Sequence, residues 1–153
     1  MSEIKRIVTN RKARHEYELL GRYEAGIVLK GTEVKSIREN RVNISESYAK
    51  VDENGEIYIY DMHISPYKDG TYSNHEPKRP RKLLLNKREI KRIADRTRQK
   101  GITVIPTKMY FNERGIAKME IALARGKQLY DKREQLREHE DQEQMRQTLK
   151  RLR

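Results

Sequence analysis

Apolar and polar residues alternate along residues 116–124. One face would consist of Ala117, Met119, Ile121 and Leu123, and the other of Lys118, Glu120, Ala122 and Ala124. A period of two residues is typical of a half-buried β-strand. The sequence therefore predicts a strand here, and a second over residues 102–111 that reaches it through a turn.

A hairpin is predicted in the middle of the chain. Residues 47–51 and 57–62 are strand-like, and Asn54-Gly55 between them is a strong turn signal. Earlier in the chain, residues 16–20 and 24–29 predict two more short strands separated by a glycine, and residues 1–10 resemble a polar lead-in.

One principal helix is predicted after a long loop over residues 65–81. Asn86 is a suitable N-cap, and Glu89 three residues later completes a variant of the capping box. An apolar stripe of Leu85, Ile90, Ile93 and Ala94 follows, and Gly101 ends the pattern.

About six strands and one principal helix favour a mainly β fold, a small closed barrel of the oligonucleotide-binding (OB) class, over a sandwich. We assign residues 1–124 to this barrel and residues 125–153 to a basic tail. The only sizeable apolar residues of the tail are Leu129, Tyr130, Leu136, Met145, Leu149 and Leu152. Such a segment is too polar to fold alone, so we expect it to be disordered when free and helical on a partner.

The composition argues against disulfide-bonded, thiolate metal-binding and membrane-spanning proteins. The chain has no cysteine, which excludes disulfides and thiolate metal sites. It has no apolar leader and no run near the roughly 20 apolar residues that span a bilayer. We expect a cytoplasmic protein with no membrane partner.

Positive charge is concentrated as well as abundant. The formal net charge is +12 at pH 7, and residues 76–100 contain eleven basic and three acidic side chains, a net of +8. Such a cluster favours a polyanion such as RNA. The alternative is an ordinary solvated helix face.

The sequence offers little catalytic chemistry. Thr32 stands where a phosphate-binding loop that begins at Gly26 needs lysine, and the four histidines are scattered. His15 near Glu16 and Glu18 allows a ribonuclease hypothesis, but a structural or RNA-stacking role is favoured. We therefore predict no catalytic residue, no metal and no cofactor.

Aromatic residues offer a further signal. Tyr58 and Tyr60 alternate along a predicted hairpin strand, which favours core or cross-strand packing. Tyr130 lies in the tail between basic residues, which favours stacking on a base over a hydrophobic dock.

Five blocks in order resemble the SmpB family of bacterial tmRNA-binding proteins. They are residues 10–17 (NRKARHEY), 31–36 (GTEVKS), 45–48 (SESY), 81–86 (RKLLLN) and 124–133 (ARGKQLYDKR). The resemblance implies a closed OB-like barrel that grips the tRNA-like domain of tmRNA (SsrA RNA), one copy per tmRNA. It also implies a tail that becomes helical in the decoding centre and mRNA path of stalled ribosomes, without covalent chemistry of its own.

The resemblance implies two sets of site residues. The RNA-binding set on the barrel surface is Asn10, Arg14, His15, Glu24, Lys35, Arg38, Asn43, Leu84, Asn86, Arg125 and Lys127. The ribosome-binding set is Tyr130, Asp131, Lys132 and Arg133. A general translation factor or structural ribosomal protein of similar fold is the main alternative, because it would share the basic barrel and the tail.

Overall fold

The computed structural model describes residues 5–68, 70, 74–126 and 145–146. In chain order its elements are β1 (Lys5–Thr9), α1 (Arg11–Glu16), β2 (Tyr17–Ile27), α2 (Gly31–Arg38), β3 (Val42–Asn43), β4 (Tyr48–Val51), β5 (Ile57–Tyr60), β6 (His63–Ile64), β7 (Arg81–Leu84), α3 (Lys87–Thr97), β8 (Ile102–Phe111) and β9 (Ala117–Gly126). Within these residues no helix is both long and apolar enough to cross a bilayer.

Six strands pair in a closed ring. The order is β8-β4-β5-β7-β2-β9, and β9 returns to β8, with every pairing antiparallel. β1 pairs with the last part of β8 on the edge away from β9. This ring confirms the expected mainly β, closed architecture, because a ring leaves no long open edge.

The core fills the inside of the ring. Alternation along β5 and β9 turns Ile57, Ile59, Met119 and Ile121 inward, all fully buried. The two longer helices cover the core, and their contact residues include Ile37 of α2 and Ile93 of α3, both 0% exposed.

Helix α1 covers the outside of the ring at one end. Its Ala13 packs with Ile105 and Ala124 in a second small cluster, bordered by Tyr17 and Leu19. The predicted solvent face of β9 therefore needs a correction at its end. Ala122 and Ala124 are both 0% exposed, and the small side chain of Ala124 lets Ala13 of α1 pack against the strand.

Several predicted elements are confirmed. The hairpin of β4 and β5 forms with Gly55 at φ +77°, and the hairpin of β8 and β9 has Gly115 at φ +75°. Asn86 caps α3, with the Glu89 N–H donating to its side chain at 3.0 Å. Tyr60 stacks on Tyr48 across the hairpin, with ring centroids 5.5 Å apart, as the cross-strand interpretation predicts.

Other predicted elements were wrong. Strand β1 lies in the expected polar lead-in, and β2 is one strand, because Gly21 lies at a register shift inside it and does not break it. Residues 11–16 form α1 and residues 31–38 form α2, where no helix was predicted. Residues 81–84 form β7.

Strand β9 extends two residues into the predicted tail. β9 continues through Arg125, opposite Glu18 and Ile102, and ends at Gly126 opposite Tyr17. Apart from residues 145–146, the segment of the predicted partner-dependent helix lies outside the described residues, as do Lys127, Tyr130, Asp131, Lys132 and Arg133.

Candidate RNA interface

The outer surface of five neighbouring strands brings distant residues together. Directly paired residues of antiparallel strands share one face of the sheet. One row across β7, β2, β9, β8 and β1 therefore consists of Leu84, Gly26, Lys118, Tyr110 and Arg6. The next row consists of Glu24, Glu120, Lys108 and Thr9. We call this surface, together with Arg22 on β2, the outer face.

Leu84 is the main apolar feature of the outer face. Its side chain is 52% exposed, and it lies beside Gly26, where an added Cβ would come within 3.3 Å of the Leu84 Cβ. Because Gly26 has no side chain, the surface next to Leu84 is a shallow depression. An exposed leucine in a shallow site suits contact with a base or ribose.

Glu24 is exposed, but it is held by a neighbour that the sequence analysis missed. The hydroxyl of the buried Tyr110 donates a hydrogen bond to the Glu24 carboxylate. Burial, and then the hydrogen bond to Glu24, raises the pKa of Tyr110, so the phenol remains a donor. The remaining lone pairs of Glu24 can accept bonds from a ligand.

Asn86 lies two residues beyond Leu84, at the start of α3. Its side-chain oxygen accepts the Glu89 N–H, whereas its amide nitrogen has no hydrogen-bond partner among the described residues. The side chain is exposed. Asn86 therefore combines a capping role with a free amide donor beside Leu84.

Asn10 is not on the surface, which corrects its predicted placement. It is 4% exposed and is the N-cap of α1, accepting the Ala13 N–H at 3.2 Å. Its amide nitrogen donates to the carbonyl oxygens of Pro106 at 2.8 Å and Ile44 at 3.4 Å. Asn10 thus anchors α1 to β8 and orients the residues that follow it.

Arg14 and His15 are exposed on α1, and Arg125 is half-buried on β9 at the same end of the ring. His15 lies in a helix, in a segment for which no helix was predicted. Within the described residues no group of three or more His, Cys, Asp or Glu side chains could hold a metal ion.

A separate group of predicted residues lies on and after α2. Lys35 and Arg38 are exposed, with Lys35 Nζ 5.3 Å from the ring centre of Tyr67 and Arg38 Cζ 6.0 Å from that of Phe111. Asn43 is exposed on β3 and accepts the Ser45 N–H at 2.9 Å. The predicted RNA-binding residues therefore do not form one continuous group. Lys35, Arg38 and Asn43 lie on α2 and β3, whereas Glu24 and Leu84 lie on the outer face.

The family is decided by comparison with known proteins. A family model described as SmpB protein matches residues 7–151. The chain belongs to the SmpB family.

Curated SmpB-family relatives span nearly the whole chain. The SsrA-binding protein of Moorella thermoacetica is 58% identical over 134 residues, 88% of this chain and 86% of that protein. The SsrA-binding protein of Thermosipho africanus is 47% identical over 150 residues, 98% of this chain and 100% of that protein. A solved chain described as "tmRNA-SmpB: a journey to the center of the bacterial ribosome" is 53% identical with a TM-score of 0.67, covering 78% of this chain and 83% of that chain.

The structure gives two of the SmpB-like blocks a shared role in a buried ion cluster. Glu33 of α2 is 0% exposed, with its two oxygens 2.5 Å from Arg79 Nη2 and from Arg81 Nε. The Lys30 N–H donates to the same carboxylate at 2.7 Å. Arg81, also 0% exposed, donates to the carbonyl oxygens of Met62 at 2.6 Å and Pro77 at 3.1 Å.

This cluster joins α2 to β7 and to the loop before β7. A second link comes from buried His75, whose Nε2 is 2.9 Å from the Ile64 carbonyl oxygen and whose Nδ1 is 2.8 Å from Thr32 Oγ1. Because Arg81 points inward, it does not belong to the solvent-facing part of the basic cluster. The charge count alone could not separate this buried cation from its exposed neighbours.

Stability should depend on the ionisation of Glu33. Burial raises the pKa of Glu33, but the hydrogen bonds from Arg79 and Lys30 and the charge of Arg81 outweigh it, so the pKa lies below its ordinary 4.5. The contribution is therefore complete above pH 4.5 and is lost as the pH falls through the lower folded-state pKa. We expect the difference in unfolding free energy between the wild type and Glu33→Gln to shrink as the pH falls from 4.5 through the folded-state pKa of Glu33. Urea titrations at several pH values measure it, and a pH-independent difference would contradict the assignment.

Proposed function

We propose that this protein is a tmRNA-binding adaptor for trans-translation. In this proposal the outer face binds the tRNA-like domain of tmRNA, one copy per RNA, and the tail enters the decoding centre and mRNA path of a stalled ribosome. The complex then rescues the ribosome and tags the incomplete polypeptide for proteolysis. The observation that carries the proposal is membership of the SmpB family together with an outer face that presents Glu24 and Leu84 on the paired strands β2 and β7, with Asn86 two residues beyond Leu84.

The chemistry of the outer face suits a folded RNA. Leu84 offers apolar contact, the Asn86 amide donates, and Glu24 accepts from base amino groups or 2′-hydroxyls. Exposed cations on the same strands provide the phosphate contacts that supply most of the affinity. None of these contacts requires a cofactor or covalent chemistry.

The ribosome role is assigned to the tail. Tyr130, Asp131, Lys132 and Arg133 form the block that resembles the ribosome-binding motif of the family. In this proposal Tyr130 stacks on a base and the three charged residues contact the decoding centre.

Competition binding tests the proposed function against a general RNA-binding role. At about 150 mM salt, labelled tmRNA should remain bound to the protein in the presence of excess tRNA, because the contacts to bases and 2′-hydroxyls are specific to the tmRNA fold. A general translation factor or a merely basic protein would release tmRNA to the competitor. Equal competition by tRNA and unlabelled tmRNA would overturn the proposal.

Tyr110→Phe tests the role of Glu24. The substitution removes the hydroxyl that donates to Glu24 but keeps the buried ring, so the carboxylate loses its fixed position. We expect tmRNA affinity to fall about tenfold, since a hydrogen bond to a charged group is among the stronger ones. Fluorescence anisotropy with labelled tmRNA measures the change.

A matched tyrosine and a double variant provide the controls. Tyr60→Phe removes a hydroxyl that has no hydrogen-bond partner among the described residues and should leave affinity unchanged. In a Glu24→Gln background, Tyr110→Phe should have a much smaller effect, because the two groups act as a pair. Additive effects would show that Tyr110 does not act through Glu24.

A further inference from the structure

A small depression lies on the outer face, where Arg14 of α1 comes next to Arg22 of β2. Its volume is about 40 Å³. It is lined by Arg6, Thr9, Arg14, Leu19, Arg22, Thr107, Lys108 and Glu120. Four separate elements, β1, α1, β2 and β8, each contribute one cation to it.

The depression carries an excess of positive charge. Four of its lining residues are cations, and the one carboxylate, Glu120, accepts a hydrogen bond from the Thr107 hydroxyl. Arg6, Arg22 and Lys108 form no ion pair with any described residue, although Lys108 Nζ lies 5.9 Å from the ring centre of Tyr110. The positive charges of Arg6, Arg22 and Lys108 repel one another, so the arrangement favours an anionic ligand.

The size of the depression limits what can enter. The depression is shallow and small, so the tetrahedral oxygens of one phosphate group fit it better than a planar base does. Guanidinium groups match phosphate oxygens through paired N–H donors, and the depression has three of them. The ligand class is therefore a single phosphodiester, with its ribose and base outside.

We propose that this depression is a seat for one backbone phosphate of a bound RNA. Arg6, Arg22 and Lys108 are its principal donors, and none of them belongs to the RNA-binding set predicted from the sequence. The inference rests on the proposed function and deepens it, because Glu120, which lines the depression, lies directly opposite Glu24 in the sheet. The phosphate can come from tmRNA or from ribosomal RNA.

Salt dependence of binding tests the seat. The logarithm of affinity falls with the logarithm of salt concentration by about 0.7–0.9 per phosphate neutralised. Arg22→Gln should therefore reduce this slope by about one phosphate and weaken binding about five- to eightfold near 0.1 M salt. Arg22→Lys, which keeps the charge, should recover most of the loss, and thermal melting should confirm that both variants are folded.

Two arms distinguish the sources of the phosphate. The first measures affinity for purified tmRNA, and the second measures association of the preformed protein–tmRNA complex with stalled ribosomes. Lys50→Gln is the matched control, because it removes an exposed cation from β4, across the ring from β2. If Arg22→Gln lowers the affinity for purified tmRNA, the phosphate belongs to tmRNA. If it lowers only the association with ribosomes, the phosphate belongs to ribosomal RNA.

The proposed phosphate site would be overturned if Arg22→Gln reduced neither tmRNA affinity nor ribosome association. It would also be overturned if Lys50→Gln reduced them equally. Failure of the proposed function is a separate outcome, since it appears as the loss of preference for tmRNA over tRNA in the wild-type protein. If the wild type prefers tmRNA but Arg22→Gln and Lys50→Gln give the same salt slope, the phosphate site is wrong and the proposed function stands.

Discussion

Arg81→Met is expected to lower the free energy of unfolding by about 3–5 kcal/mol, the usual cost of removing one partner of a buried ion pair. Methionine has a similar length but leaves the Glu33 carboxylate buried with one cation fewer. It also removes the Arg81 donor from the Met62 carbonyl oxygen and one of two donors from the Pro77 carbonyl oxygen, which keeps the Ile64 N–H. Urea denaturation followed by circular dichroism measures the change.

Two further variants test the interpretation. Arg79→Met should cost less, because the Arg79 side chain is 26% exposed and water can replace its charge. The pair Glu33→Met and Arg81→Met should recover much of the stability, since neither residue then leaves a buried charge. A cost below about 1 kcal/mol for Arg81→Met would contradict a structural role for the cluster.

Truncation before Gln128 is expected to spare most tmRNA affinity but to abolish peptide tagging on stalled ribosomes. The truncated chain keeps all of β9, whose last pair joins Gly126 to Tyr17, so the ring and the outer face remain complete. It loses the residues assigned to the decoding centre and the mRNA path. Filter binding measures affinity, and in vitro tagging of a peptide stalled on a truncated message measures function.

Substitution within the tail provides the matched control. Replacing Asp131, Lys132 and Arg133 with alanine keeps the chain length and should reduce tagging as strongly, with tmRNA affinity again little changed. Equal loss of affinity and tagging in the truncated protein would contradict this division of labour. Normal tagging by both variants would show that the tail is not required.

The sequence by itself determined features that depend on local physics. Asn54-Gly55 specified the hairpin of β4 and β5 because few other residues accept the backbone angles of such a turn. Asn86 and Glu89 specified the start of α3 because both hydrogen bonds of the cap lie within one turn. The five SmpB-like blocks indicated the family, which the comparisons confirm.

The tertiary structure decided what depends on residues far apart in the chain. Helix α2 contains an acid that is stable in the interior only because two arginines, 46 and 48 residues later, reach it. Asn10 resembles a surface residue in sequence, yet it is buried because its partners come from residues 44 and 106. The outer face likewise exists only through the register of five strands, since no local pattern places Leu84, Glu24 and Arg22 on one surface.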